Sequence, residues 1–395
     1  MLRVLTLSTL FPDATRPNFG VFVERQTREL AARPGVELRV VAPVGLPPGP
    51  LARMPHYQPL GDIPAREIWR GLDVMRPRFA IVPGAGGRFH VAGLLRALTP
   101  LLDKVRSDFP FDVIDAEFFF PDGPAAVALG ARYGVPVSIK ARGADIHHWG
   151  HRPTAAQVRR AGRLADGLLA VSQAMKRDMA ALGIAPEKIR VHHTGVDLDR
   201  FRPVDRAAAK AELGVAGPLV VSLGALIPRK GHDVVIDAVA ALPPATLLIA
   251  GEGLERARLE AQIARLGLEG RVRLLGTIPH DDLPALLGAA DVMALASSSE
   301  GLANAWVEAL ACGTPVTITD AGGAHEVVTT PAAGRIAPRT ASGFAAAIAE
   351  LLAAPPATDA VRATATGFTW ATNAASLEDH LAGLSEHARP ARRRA

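Results

Sequence analysis

Short runs of aliphatic and β-branched residues recur along the chain, and each is followed by a longer stretch rich in Ala, Leu and Arg. Continuous apolar runs of this length read as strands buried on both faces, and their alternation with helical stretches is the pattern of βαβ units around a parallel sheet. Two such series are present. The first holds VLTLS (4–8), ELRVVAP (37–43), FDVIDA (111–116), PVSIKA (136–141), GLLAVS (167–172) and KIRVHHTG (188–195). The second holds PLVVSLG (218–224), ATLLIAG (245–251), RVRLLG (271–276), DVMALAS (291–297) and TPVTITD (314–320).

A polar stretch from Asp197 to Asp205, with Pro203 inside it, separates the two series. We therefore expect two Rossmann-like domains, residues 1–200 and 201–370, followed by a helix and a basic tail at 371–395. The Gly- and Pro-rich segments 43–64 and 82–88 read as loops or insertions. Open parallel sheets bind ligands beyond the carboxyl ends of their strands, so two facing domains predict a cleft in which each half holds one of two substrates.

At 395 residues, with 49% hydrophobic and 21% charged residues, the composition is that of a folded α/β protein of two domains. A single cysteine, Cys312, excludes a disulfide framework and a thiolate metal cluster. The first residues alternate like a strand and lack both a signal-peptide cleavage region and the length of a membrane span, so a cytoplasmic protein is expected, with the inner face of the cell membrane as a possible location. The net charge of +5 and the terminal cluster ARPARRRA suit a frayed basic end or contact with anionic lipid headgroups; nothing points to nucleic acid.

Candidate chemistry concentrates in residues 291–320. An apolar strand ends in a Ser-rich loop, a helix is expected to begin near Leu302, and a Gly-Thr-Pro turn leads into the next strand. Glu300 then lies in the loop and Glu308 in the helix. Eight helical residues rise about 12 Å, enough for two carboxylates to address opposite ends of an extended ligand such as a sugar and a ribose joined by a diphosphate. A glutamate pair at this spacing arises by chance in a chain of this length, and a solvated helix position for Glu308 remains the alternative. The weight lies in the flanking string.

That string, SSSEGLANAWVEALACGTPV (297–316), resembles the signature of the family 4 retaining glycosyltransferases, which have the GT-B fold: two Rossmann-like domains facing a central cleft, with a C-terminal helix crossing back to the N-terminal domain. The resemblance implies that Glu300 contacts the donor sugar, that the backbone of Gly301, Leu302, Ala303 and Asn304 holds sugar and phosphate, and that Glu308 binds the ribose hydroxyls. VVSLGALIPRKGHDVVIDAV (220–239) resembles the family's phosphate loop, which places Gly224 and Lys230 at the donor. Ala225 stands where many members carry Arg, and Arg229 is the neighbouring cation able to replace it. VSIKARGADIHHWGH (137–151) resembles the family's His-Gly-x-Asp segment with Arg142 in place of the His, which makes Arg142 and Asp145 candidate active-site residues. In STLFPDATRPNFGVFVERQTREL (8–30) only Gly20 of the family's two loop glycines is present, and it marks the expected acceptor side.

Other features carry less. His147 and His151 lack a carboxylate or thiolate partner in the pattern, and Asp197 and Asp199 sit in TGVDLDRF, which resembles the family's interdomain segment, so no catalytic metal is expected. GGAHEVV (322–328) resembles the family's Gly-Gly-x-x-Glu loop, and GFTWATNAASLEDHLAGL (367–384) its terminal helix, with Trp370 as an anchor. The implied reaction is transfer of a sugar from a nucleotide-diphosphate sugar, a UDP- or GDP-sugar acting as co-substrate with no further cofactor, to a hydroxyl of a saccharide or lipid-linked saccharide in polysaccharide or glycoconjugate synthesis. Two alternatives stay open: a nucleotide-sugar epimerase on the same fold, and a catalytically silent binding partner.

Overall fold

The computed structural model describes residues 1–392 apart from Arg152 and Pro244; the last three residues of the basic tail lie outside the described residues. The chain divides into two compact units, Met1–His193 together with the segment from Trp370 onward, and Thr194–Thr369.

The first unit contains β1 (Leu2–Leu7), β2 (Val36–Val41), β3 (Val44–Leu46), β4 (Arg66–Trp69), β5 (Leu72–Met75), β6 (Arg78–Ala80), β7 (Val113–Ala116), β8 (Val137–Ala141), β9 (Gly167–Ala170) and β10 (Ile189–Val191). Eight of them form one sheet in the order β10-β9-β8-β7-β1-β2-β5-β4, parallel except for the β4–β5 pair. β3 and β6 form a separate parallel pair, with β3 inside the segment 43–64 expected as loop. Strands β7, β8 and β9 are buried at every position, as expected for strands covered by helices on both faces.

The second unit contains β11 (Leu219–Leu223), β12 (Thr246–Ala250), β13 (Val272–Gly276), β14 (Val292–Leu295), β15 (Val316–Ile318) and β16 (Gly334–Ile336). They form one parallel sheet in the order β13-β12-β11-β14-β15-β16. Counted within the unit this is 3-2-1-4-5-6, the strand order of a Rossmann fold. The connection reverses direction between β11 and β14, and such a sheet opens a crevice for ligands beyond the carboxyl ends of those two strands. The corresponding reversal in the first unit lies between β1 and β7.

The unit boundary falls earlier than the polar stretch suggested. Residues from Thr194 onward belong to the second unit, because Val196 bridges to Thr369 and its N–H donates to Phe368 O at 2.6 Å. The chain returns to the first unit with the helix Trp370–Arg392. Leu377 and Leu381 of that helix pack with Leu2, Val4, Leu30, Val113 and Leu169, and Trp370 itself is buried. No helix among the described residues is long and apolar enough to cross a membrane.

The turn after β12 shows how closely the switch-point loops of the second unit approach each other. Gly251 has a φ of 152°, and a Cβ there would lie 1.8 Å from Gly224 O. Gly35, with a φ of 85°, has nothing within 4 Å of its Cβ position. Gly35→Ala is expected to cost about 1 kcal/mol, the backbone strain alone. Gly251→Ala adds a backbone collision and is expected to cost about 3 kcal/mol or more. Urea unfolding midpoints of the two variants check the difference.

Candidate active site

Lys230 and Glu300 come from the two loops at the reversal point of the second sheet: Lys230 lies beyond β11 and Glu300 beyond β14. Seventy residues apart in sequence, they meet with Lys230 Nζ donating to Glu300 Oε1 at 2.6 Å. Ser297 Oγ donates to the same oxygen at 2.7 Å, and Arg229 approaches Oε2 at 3.3 Å. Glu300 is 8% exposed and the Lys230 side chain 15%. Burial alone would raise the Glu300 pKa, but the charge and hydrogen bond of Lys230, the Ser297 hydroxyl and the Arg229 charge outweigh it and hold the carboxyl below its ordinary value.

The two loops are joined by one backbone bond and by the Arg229 side chain. Ser298 N–H donates to Arg229 O at 2.8 Å, and Arg229 NH1 donates to Ser299 O at 2.6 Å. Arg339 closes the far side, donating to Ala296 O at 2.8 Å and to Pro228 O at 3.0 Å. Beneath the first loop, Ser222 Oγ lies 3.0 Å from His232 Nδ1, and burial pushes the His232 imidazole down to about 4, so it is neutral at physiological pH. Gly224 opens this loop, its N–H donating to Ala250 O at 3.0 Å. The Gly-Gly-x-x-Glu loop reaches the same place, with Gly323 N–H on Gly301 O at 2.8 Å. Glu326 lies in the first turn of the short helix behind it.

The helix carrying Glu308 spans Asn304–Ala311 and starts two residues later than expected, because Ala303 is extended (φ −73°, ψ 123°) and serves as its N-cap. No side chain caps this end, so the first helical amides, from Asn304 on, have no intrahelical acceptor of the ordinary kind. Leu302 and Ala303 are buried beside it. Glu308 is also buried and accepts a hydrogen bond from His280 Nε2 at 2.7 Å. His280 escaped the sequence reading, where a His before two Asp residues is an ordinary helix approach.

In the first unit the reversal point brings together the loop after β1 and the loop after β7. Gly20 caps the helix Val21–Ala31 with a φ of 70°, and a Cβ there would lie 2.4 Å from Leu10 O, so its presence follows from backbone geometry. Thr9 N–H donates to Asp122 Oδ2 at 2.8 Å, and burial pushes the Asp122 carboxyl up to about 8. Behind them lies a buried polar network that sequence reading missed except for Arg142. Arg142 pairs with Glu117 and donates from Nε to Glu117 O at 2.8 Å, and Gln26 donates to the Glu117 carboxylate. Lys140 donates to Gln26 Oε1 at 2.6 Å and contacts His192 Nδ1 at 2.6 Å; His192 Nε2 lies 2.9 Å from Asn373 O of the terminal helix.

Burial, with Arg142 nearby, pushes the Lys140 ammonium down to about 7. Burial and the adjacent Glu117 push Asp115 well above its usual range; Glu117, buried as well, is held below its own by Arg142 and Lys140. The Arg142 charge is thus neutralised inside the unit, with 7% of its side chain exposed. Asp145 directs its carboxylate to backbone, accepting from Phe119 N–H at 2.9 Å, Arg142 N–H at 3.0 Å and Gly143 N–H at 2.7 Å. Its observed contacts shape the loop that carries Arg142.

Asp197 Oδ1 accepts from the N–H groups of Asp199 and Arg200, both at 3.1 Å, a local turn and not a pair of open ligands. His147 pairs with Asp178 at 2.8 Å. Among the described residues no group of three or more His, Cys, Asp or Glu side chains is placed to hold a metal ion.

Known proteins resemble this chain over nearly its whole length. The family profile described as "Glycosyl transferases group 1" matches residues 205–368, and the one described as "Glycosyltransferase Family 4" matches residues 20–200. The putative teichuronic acid biosynthesis glycosyltransferase TuaC of Bacillus subtilis is 27% identical over 361 residues, 88% of this chain and 88% of that protein. The D-inositol 3-phosphate glycosyltransferase of Mycobacterium tuberculosis is 41% identical over 167 residues, 40% of this chain and 35% of that protein. Among solved structures, HepE of Anabaena in complex with UDP aligns with a TM-score of 0.75 at 22% identity, covering 97% of this chain and 100% of that one. Sucrose-phosphate synthase from Thermosynechococcus elongatus aligns with a TM-score of 0.79 at 19% identity, covering 97% and 99%.

The Glu300 cluster makes a prediction about stability. A glutamate whose folded pKa lies below its ordinary value of 4.5 contributes stability that is present above that value and lost as pH falls through the folded one. Glu300→Gln is expected to lower stability by about 2 kcal/mol at pH 7, since it leaves Lys230 and Arg229 without their counter-charge. Chemical denaturation from pH 7 to pH 3 should show the gap between wild type and variant holding to about pH 5 and then closing.

Proposed function

We propose that this chain, which belongs to the family 4 glycosyltransferases with the GT-B fold, moves a sugar from a nucleotide-diphosphate sugar to a hydroxyl acceptor with retention at the anomeric carbon. The observation that carries the reading is the convergence of Lys230, Arg229 and Glu300 on one point beyond the ends of β11 and β14. Cations beside an uncapped helix start suit a diphosphate, whose negative charge grows as the bond to the sugar breaks. A buried, ionised carboxylate in the same place accepts hydrogen bonds from sugar hydroxyls.

In this reading the bond between the anomeric carbon and the diphosphate oxygen breaks with its electron pair leaving on the diphosphate. Lys230 and Arg229 stabilise that charge, exchanging part of their pairing with Glu300 for the phosphate oxygens. Glu300 orients the sugar, Glu308 receives the ribose hydroxyls, and the backbone from Gly301 to Asn304 lies along the sugar and phosphate. The acceptor hydroxyl attacks from the face the diphosphate leaves, and its proton passes to the leaving phosphate oxygen. No protein nucleophile and no metal enters the step. Arg142 and Asp145 shape the acceptor half, with Gly20 at the entrance of its first loop.

A UDP- or GDP-sugar is the donor class this site suits; the Anabaena relative was solved with UDP-glucose, which supports the uridine form. The teichuronic acid biosynthesis of the Bacillus relative and the D-inositol 3-phosphate glycosylation of the Mycobacterium relative support a saccharide or polyol hydroxyl as acceptor in glycoconjugate synthesis. In a thermal-shift screen of UDP- and GDP-sugars, the true donor at a hundred times its dissociation constant should stabilise the fold by about 3 kcal/mol. Lys230→Ala is expected to lower kcat by about 100-fold or more and Arg229→Ala by about tenfold, each with a smaller change in acceptor KM. Unchanged turnover in Lys230→Ala contradicts the assignment, as does donor conversion that proceeds without any acceptor.

A further inference from the structure

Glu308 is held from behind by a relay of side chains. His280 Nε2 lies 2.7 Å from Glu308 Oε1, and His280 Nδ1 lies 2.9 Å from Arg200 NH2. A guanidinium carries donors only, so Nδ1 is the acceptor in that contact. The ring proton therefore sits on Nε2 and is donated to Glu308. Arg200 also pairs with Asp281, and its guanidinium packs 5.5 Å from the centre of the Phe201 ring. The Phe201 ring meets the His280 ring edge-on at 5.2 Å, which fixes the imidazole plane. Arg362 ties the same segment to the Glu308 helix, donating to Leu198 O at 2.7 Å, to Phe201 O at 2.8 Å and to the carbonyl of Ala311.

The relay engages one carboxylate oxygen of Glu308. Its Oε2 accepts no hydrogen bond from the described residues, and the side chain as a whole is 10% exposed. An acid anchored through one oxygen presents the other in a fixed direction, with little rotational entropy left to lose when a ligand arrives.

We propose that His280 is a positioning residue for the donor's ribose. As the Nε2–H tautomer imposed by Arg200, it locks Glu308 so that Oε2 accepts from the ribose hydroxyls, and it thereby sets a preference for ribonucleotides over deoxyribonucleotides. The inference rests on the reading of Glu308 as the ribose-binding acid. It adds that the opening segment of the second unit, through Arg200 and Phe201, determines how sharply that acid discriminates.

The test titrates UDP, GDP and their 2′-deoxy forms into wild type, His280→Ala and His280→Gln, with unliganded melting midpoints measured alongside. Wild type is expected to bind one of the two ribonucleotides about tenfold more tightly than its 2′-deoxy form. His280→Ala should bind that ribonucleotide about tenfold more weakly and lose most of the preference, with kcat at saturating nucleotide sugar within about twofold of wild type. His280→Gln, whose side-chain amide can donate to Glu308 in place of Nε2–H, should recover both. If His280→Ala does not fold, His280→Asn, whose amide reaches the Nδ1 position and falls short of Glu308, replaces it with the same expectation. A preference unchanged in these variants, or an equal loss in His280→Gln, overturns the positioning role. Wild type binding the ribo and 2′-deoxy forms equally removes the ribose reading of Glu308, and wild type binding neither nucleotide removes the donor reading as a whole.

Discussion

Glu300 is a carboxylate sealed into the second unit at the point where the strand order reverses, and the loops around it are arranged to keep it ionised. Lys230 and Ser297 occupy one oxygen, Arg229 approaches the other, and the backbone bond from Ser298 to Arg229 together with the Arg229 side-chain bond to Ser299 O holds the two loops in register. Burying such a charge without partners would cost several kcal/mol, so the loop conformations and the charge state depend on each other. The same arrangement holds both signs of charge close together in a partly dehydrated place. In the proposed reaction a diphosphate arriving there would meet cations already oriented, and its competition with Glu300 for them would free the carboxylate to meet hydroxyl groups.

The first unit solves a different electrostatic problem. Asp115, Glu117, Lys140 and Arg142 are carried on or just beyond β7 and β8, and Gln26 and His192 complete the set. Two acids and two bases in one buried cluster are tolerable because most of their polar atoms find partners and because burial, the largest cause in each case, pushes Asp115 up and Lys140 down, each toward its neutral form. The cluster runs from Arg142 to the terminal helix at Asn373, which ties the return of the chain to the shape of the loop after β8.

Much of the fold was legible because parallel strands buried on both faces appear as uninterrupted apolar runs, and both series of runs became strands of the expected sheets. The hairpin β4–β5 and the pair β3–β6 were not: β3 lies in a segment whose Gly and Pro content reads as loop, and β4, β5 and β6 are runs of three or four residues that contain charged positions. The unit boundary shifted because it depends on the bridge from Val196 to Thr369, a pairing across most of a domain that no local pattern announces. Ala303 as N-cap had no signature either, being a residue with no capping side chain.

The candidate site was legible to the extent that its chemistry is written in contiguous strings. Lys230 and Glu300 each stood out locally, and the sheet topology then explains why they meet. His280, Arg200, Gln26 and Glu117 were silent, because each acquires its role from a partner at least 25 residues away. Arg142 and Asp145 stood out by resemblance, yet their side chains are engaged with Glu117 and with backbone amides respectively.

The most direct measurement on the central claim is the anomeric configuration of the product. With the donor and acceptor that support turnover, the one-bond C1–H1 coupling of the new glycoside, read by NMR before it can equilibrate, reports that configuration. Front-face departure and attack at the Lys230–Glu300 site predicts that the product keeps the donor's configuration. A product of inverted configuration contradicts it.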